Sequence, residues 1–117
     1  MSLTFRRAAR LRSRGEFDRV QHGGRRVSTR LFTLFGRPNA LDRDRLRIIA
    51  SRRVGGAVLR NRAKRRLREV FRRQAPDAAR RPDRSLDLVA IARRELIEAS
   101  FSAVEADFSA ALRKLRG

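Results

Sequence analysis

Apolar residues alternate with polar ones in some stretches of this chain and recur every three or four positions in others, and the changes of period divide it into elements. Ser13 followed by Glu16 has capping-box spacing, which predicts a short helix over residues 14–21 with Phe17 and Val20 on one side. Gly23 and Gly24 close it, because glycine accepts the left-handed backbone that ends helices. The run VSTRLFTLF, residues 27–35, is rich in β-branched and aromatic side chains and reads as one strand. Alternation puts Leu31, Thr33 and Phe35 on one face of it and Phe32 and Leu34 on the other. After the turn-rich GRPNALDRD, the run LRIIAS gives a second strand, with Leu46, Ile48 and Ala50 opposite Arg47, Ile49 and Ser51. The two strands are near enough in sequence to pair antiparallel.

At Ala57 the period becomes helical and stays so to Gln74, with Leu59, Ala63, Leu67, Val70 and Phe71 inside roughly a third of the helix circumference. Pro76 and Pro82 bound the loop PDAARRPDRS. From Leu86 the segment LDLVAIA is almost continuously apolar, as a strand covered on both faces would be. A last helix starts at Ser100 or at Ser102, the latter forming a second capping box with Glu105, and buries Phe101, Val104, Phe108, Ala111 and Leu115. The predicted order is α-β-β-α-β-α without repeat or linker, an α+β class in which helices pack on one mixed sheet.

Charge sharpens this picture. In 117 residues, 31 Lys and Arg against 12 Asp and Glu leave a net charge of +19, which repels itself unless a polyanion shares it. Lysine occurs only at Lys64 and Lys114. The guanidinium fork suits phosphates and base faces, although a coding bias toward arginine would give the same ratio without explaining the total. With no cysteine there is no thiolate chemistry, which fits a reducing, cytoplasmic setting. His22, beside Gly23 and Gly24, reads as a helix-end residue, and no apolar run reaches the length of a membrane span. The opening MSLTFRRAARLRSRG has the composition of a transit peptide or of a basic arm lying on nucleic acid. Basicity throughout the chain favours the arm. Residues 1–12 are expected to form it, as a flexible extension of a single nucleic-acid-binding domain over residues 1–117.

The densest charge is RNRAKRRLR, where every residue from Arg60 to Arg68 except Asn61, Ala63 and Leu67 is cationic. On a helix, Arg60, Lys64 and Arg68 climb one edge, Asn61, Arg65, Arg68 and Arg72 the next ridge, and Arg62, Arg66 and Arg73 the far side. Like charges four apart cost a few tenths of a kcal/mol per pair, and Glu69 alone relieves them. A face made for solubility mixes signs, so this one reads as a phosphate-binding surface. The preceding VGGAV either lets the backbone approach a ligand or simply makes a tight strand-to-helix turn; it lacks the spacing of a nucleotide-binding loop. Asp42 with Asp44 and Asp83 with Asp87 read as turn residues, and nothing clusters His, Asp and Glu into a metal or general-base site, which argues against a self-contained nuclease.

The segment SRRVGGAVLRNRAKRRLRE, a basic pair, a glycine, small apolar residues and then Arg-Asn-Arg leading into a basic helix, resembles the signature of the protein subunit of bacterial ribonuclease P. LRSRGEFDRVQHGG resembles that family's first helix and DLVAIARR its third strand, so the resemblance covers residues 11–115. It implies a left-handed crossover between the second and third strands, against the general right-handed rule. It also implies a division of labour. A large RNA subunit, with Mg2+ held through that RNA and no dedicated protein site, hydrolyses precursor tRNA, and the protein positions RNA and the 5′ leader. One protein per RNA, itself monomeric and away from any membrane, is the implied assembly.

Carried over by position, Arg52, Arg53, Arg60, Asn61, Arg62, Lys64, Arg65 and Arg68 are the implied contacts to the RNA subunit, and Phe17, Phe35 and Arg47 line the implied leader groove. Aromatic faces over a basic floor suit an unstacked single strand, while ordinary core packing is an open alternative for Phe17 and Phe35. Gln21 stands where many relatives carry a second groove phenylalanine, Arg47 where glycine is common, Gly56 where asparagine is frequent, and Ala63 and Arg66 where apolar residues are usual. Charge by itself leaves a second function open, a non-catalytic general RNA- or DNA-binding protein such as a ribosomal component.

Overall fold

A hydroxyl decides how the first strands form. Thr29 Oγ1 accepts hydrogen bonds from the amides of Leu31 (3.0 Å) and Phe32 (3.2 Å), and the Thr29 amide donates to the Phe32 carbonyl at 2.8 Å. Such a side chain offers the backbone a turn in place of extension. The single strand predicted over residues 27–35 is therefore a hairpin, β1 (Arg25–Ser28) and β2 (Phe32–Pro38), closed where Ser28 faces Thr33. Leu31, expected beside Thr33 and Phe35, sits in the turn and joins the opposite side's core with Phe32 and Leu34.

The computed structural model describes residues 14–41, 43–78 and 85–116, without the side chains of residues 14, 16, 17 and 75–78. The basic arm, the Ser13–Glu16 capping box, Asp42, Asp83, the side chain of Phe17 and most of the proline-bounded loop lie outside the described residues. Helix α1 (Arg14–Gly23) precedes the hairpin, and β3 (Arg45–Ile49), α2 (Ala57–Ala78), β4 (Leu86–Ala92), a 3-10 turn (Arg94–Leu96) and α3 (Phe101–Arg116) follow it. The α1 end comes down on the sheet at Gly24, where a β-carbon would lie 2.5 Å from the Val20 carbonyl oxygen and 2.6 Å from that of Gly36. Only glycine allows that approach.

Strand order is β1-β2-β4-β3, with β4 antiparallel to β2 and parallel to β3. The expected antiparallel pairing of the second and third of these strands does not form, because β4 lies between them. Its sequence explains the choice: Leu88, Ala90 and Ala92 are buried on one face and Val89 on the other, so both faces of β4 have to be covered. The parallel β3–α2–β4 unit is the crossover placed between the second and third sequence-read strands. With β1 added, the order is α-β-β-β-α-β-α, and the α+β class with one mixed sheet holds.

The sheet divides two layers. On one face Phe32, Leu34, Leu46, Leu88 and Ala90 pack against Ala63, Leu67, Val70 and Phe71 of α2 and Val104, Phe108, Ala111, Leu112 and Leu115 of α3. Phe32 and Phe108 meet in a tilted pair with centroids 5.9 Å apart. On the other face α1 sets the buried Val20 against Val89, with Phe35, Ile49 and Ile91 half-buried around them. Ser100, not Ser102, caps α3, its hydroxyl accepting the Ala103 amide at 3.1 Å, while Glu105 turns to Arg73 instead of closing a capping box.

Candidate nucleic-acid interface

The turn before α2 is held from inside. Val54 is buried and its amide donates to the Ser51 carbonyl at 3.0 Å, while the Gly55 amide donates to the Arg52 carbonyl at 3.1 Å. With Val54 pinned, Arg52 and Arg53 on the same turn are exposed. Gly55 then takes φ +144°, a backbone conformation that favours glycine, and a β-carbon there would lie 2.6 Å from Leu59 Cδ1 and displace that side chain. Leu59 thus packs on the turn at 38% exposure; it does not join the core stripe expected for it.

Along α2, Ala63, Leu67, Val70 and Phe71 face the sheet, which fixes where the arginines point. Asn61, Arg62 and Arg65 are exposed on the outward ridge. Arg60, Lys64 and Arg68 are half-buried on one flank. Arg66 and Arg73, expected on the far side of the cationic face with Arg62, lie on the other flank and work structurally. Arg66 donates to the carbonyls of Leu96 (3.3 Å) and Ala99, holding the entry to α3. Arg73 lies 4.7 Å over the Phe101 ring and pairs with Glu105 at 3.5 Å. Arg72 takes up Glu69 at 2.6 Å, and that pairing lowers the Glu69 pKa.

The sheet face under α1 forms a second surface. Strand register places Arg26, Phe35, Val89 and Arg47 in one row across β1, β2, β4 and β3. Ser28, Thr33, Ile91 and Ile49 make the next. Val89 is covered by Val20, Phe35 is half-buried, and Arg26 and Arg47 are exposed at the two ends. Helix α1 rests chiefly on β2 and β4, and on β3 Ile49 is half-buried against its Val20 while Arg47 stays exposed. Gln21 of α1 is half-buried beside this surface. Arg93 continues the parity of Val89 and Ile91 and donates to Thr33 Oγ1 at 3.2 Å. The period-two pattern, carried two residues past Ile91, is the sequence signal for Arg93, and the hairpin register is the signal for Arg26. An open cleft of about 310 Å³ at the other end of this face is lined by Arg19, Arg37, Arg45 and Asp87.

The two surfaces converge. Helix α2 packs over β3 and β4 and α3 over β1 and β2. The flank of α2 turned away from α3, with Arg60, Lys64 and Arg68, therefore lies toward the free edge at β3, the strand that carries Arg47. Arg52 and Arg53 follow β3 directly. Of the four acidic residues read as turn formers, Asp44 and Asp87 are described; both are structural, and Asp87 lies within β4, not in a turn. Asp44 accepts the Leu86 amide at 2.7 Å and pairs with Arg116, and Asp87 takes both nitrogens of Arg45. Among the described residues no three His, Asp or Glu side chains gather as metal ligands, and no helix is long and apolar enough to cross a membrane.

This combination of sheet order, crossover and basic helix recurs in known proteins. The ribonuclease P family profile matches residues 5–116. The chain belongs to the ribonuclease P protein family. The ribonuclease P protein component of Chloroflexus aggregans is 43% identical over 109 residues, covering 93% of this chain and 78% of the relative. That of Syntrophomonas wolfei is 34% identical, over 91% of this chain and 86% of its own. The solved ribonuclease P protein of Thermotoga maritima superposes with a TM-score of 0.76 at 32% identity, over 92% of this chain and 98% of that one. The Staphylococcus aureus protein gives 0.74 at 27% identity, over 95% and 100%. Its role is the family's, a protein subunit of ribonuclease P, a ribonucleoprotein nuclease of tRNA processing, and a ribosomal or general binder is not favoured.

Proposed function

We propose that this subunit positions RNA for a reaction carried out by its RNA partner in the cytoplasm. Arg52, Arg53, Arg60, Asn61, Arg62, Lys64, Arg65 and Arg68 bind the RNA subunit, and the row Arg26–Phe35–Val89–Arg47 floors a groove for the 5′ leader of precursor tRNA. The supporting observation is that row: two exposed arginines, roughly 14 Å apart by the strand spacing of ~4.8 Å, flank a half-buried aromatic on a face α1 only partly covers. Phosphates meet the guanidiniums while an unstacked base lies over the aromatic. Phe17, one turn before Val20 on α1, belongs to the same groove in this reading.

Asp87 is engaged by Arg45 and Asn39, and Asp44 by Arg116 and the Leu86 amide, so neither carboxylate suits a resident metal. The Mg2+ of the reaction is accordingly assigned to the RNA subunit, and the chain's contribution is to bind, orient and neutralise phosphates. The test is reconstitution with a ribonuclease P RNA transcript. The protein should lower the magnesium needed for cleavage and bind leader-bearing precursor more tightly than mature tRNA. Equal affinity for the two would remove the leader role, and cleavage by protein without RNA would overturn the division of labour.

A further inference from the structure

The most exposed large apolar side chain among the described residues stands at the start of the basic helix. Val58 is 81% exposed in the first turn of α2, whereas the other exposed apolar residue, Leu59, folds back on Gly55. Helical spacing puts Val58, Asn61, Arg62 and Arg65 at i, i+3, i+4 and i+7, one ridge pointing directly away from the buried Ala63 and Leu67. The ridge is about 10 Å long at 1.5 Å per residue. It begins with an aliphatic group, continues through a neutral amide and ends in two guanidiniums. Arg52 and Arg53, exposed on the turn before the helix, precede it in the chain.

A wholly electrostatic surface has no use for a branched aliphatic at its tip, and in the first turn of a helix an acidic residue is favoured by the helix dipole. Aliphatic area left in water is favourable only when a partner covers it. Arg62 and Arg65 share the ridge with Val58, and the exposed Arg52 and Arg53 precede it in the chain, which selects a polyanion over an apolar protein surface. Among nucleic-acid surfaces, uniform phosphate backbone offers an aliphatic group nothing. Sugar edges in the wide, shallow minor groove of folded RNA, or the face of an unstacked nucleotide, offer it apolar atoms.

We propose that Val58 is a specificity-determining contact of the RNA interface, seated against the sugar edge or exposed base of a nucleotide in folded RNA while Asn61, Arg62 and Arg65 hold the adjoining phosphates and polar groups. The inference rests on the α2 face being the RNA-subunit surface. It adds to that reading that the face recognises a structured feature as well as charge.

The test compares Val58→Thr, which keeps shape and branching, and Val58→Ala with Arg62→Ala, in the full chain. Each is titrated against a ribonuclease P RNA transcript and against a plain RNA duplex over a range of salt. Both Val58 variants should lose about three- to tenfold in affinity for the transcript, the scale of one aliphatic contact, with an unchanged salt slope and unchanged duplex binding. Arg62→Ala should lower the slope by about one. Unaltered transcript affinity in Val58→Thr and Val58→Ala, an equal loss on the duplex, or a Val58 effect confined to self-association would each overturn the inference. If the wild-type chain binds transcript and duplex alike and Arg62→Ala changes neither, the assignment of α2 to the RNA subunit fails instead, and this distinguishes the two failures.

Discussion

Arg45 and Asp87 face each other across the parallel β3–β4 pair and join through two hydrogen bonds, Nε to Oδ1 at 2.8 Å and a terminal nitrogen to Oδ2 at 2.7 Å. The side chains are only 19% and 13% exposed, and Asn39 adds a third bond to Asp87 at 2.9 Å. The pair therefore clamps an edge strand onto the centre of the sheet beside the cleft. Asp87→Ala removes both bonds to the sheltered Arg45 guanidinium and the one from Asn39, and is expected to cost about 2 kcal/mol, between the values for exposed and buried pairs. Arg45→Lys keeps the charge but not the fork and should cost about 1 kcal/mol. Urea denaturation of both variants measures the difference; equal midpoints with wild type would show the clamp to be idle.

Asp44 carries a different kind of junction, joining the start of β4, through the Leu86 amide, to the end of α3, through Arg116. Burial raises its pKa above 3.8, and the Leu86 amide and Arg116 pull downward without overcoming it, with Asp87 adding a little to the rise. A carboxyl with a raised folded-state pKa makes the folded chain hold its proton more tightly than the unfolded chain does. Its contribution is then greatest at low pH and is lost as pH rises through the folded value. Asp44→Asn keeps an acceptor for Leu86 and has no such loss, so its stability relative to wild type should improve as pH is raised from below 3.8 toward neutrality. Asp44→Ala orphans the amide and should cost about 1–3 kcal/mol. Denaturation midpoints across pH decide it, and a relative stability moving the other way would reverse the sign assigned to burial.

Arginines of α2 that look alike in sequence separate by what they touch. Arg66→Met removes the donor to the Leu96 and Ala99 carbonyls and should lower stability by about 1–3 kcal/mol, with little change in the salt dependence of RNA binding. Arg65→Ala, on the exposed ridge, should do the opposite: near-native stability and a salt slope smaller by about one. Thermal melts paired with salt titrations give both numbers. Loss of slope in Arg66→Met would return that residue to the RNA surface.

Periodicity made the helices and the two-faced strand legible, because apolar spacing in α2, α3 and β4 is long and regular. The hairpin was not, since a threonine hydroxyl makes its turn in place of glycine, proline or asparagine, and Leu31 and Phe32 on either side of the bend look like uninterrupted strand. Pairing was missed for a related reason: nearness in sequence favoured β2 with β3, whereas coverage of both faces of β4 sets the order. In the candidate site, the outward positions of Asn61, Arg62 and Arg65 followed from the helical period. That Arg66 and Arg73 serve α3 could not, because their partners are carbonyls, a ring and a glutamate some thirty residues away.

The proposed leader path makes a final demand on the sheet face. Phe35 is half-buried against Val20 and Val89, so part of its ring supports α1 and part remains available to a base. Phe35→Leu keeps most of the packing and removes the aromatic face, separating the two roles. It should weaken binding of leader-bearing precursor by about 1–3 kcal/mol, the worth of one base on an aromatic ring, and leave mature tRNA binding unchanged. Arg47→Ala, at an exposed site, should instead lower the salt dependence of precursor binding by about one and leave the fold intact. Affinities for precursors with successively shorter leaders, measured on the reconstituted holoenzyme, then locate each contact. The Phe35 effect should vanish when the leader no longer reaches the middle of the row. If it persists on mature tRNA, Phe35 is a packing residue and the leader runs elsewhere.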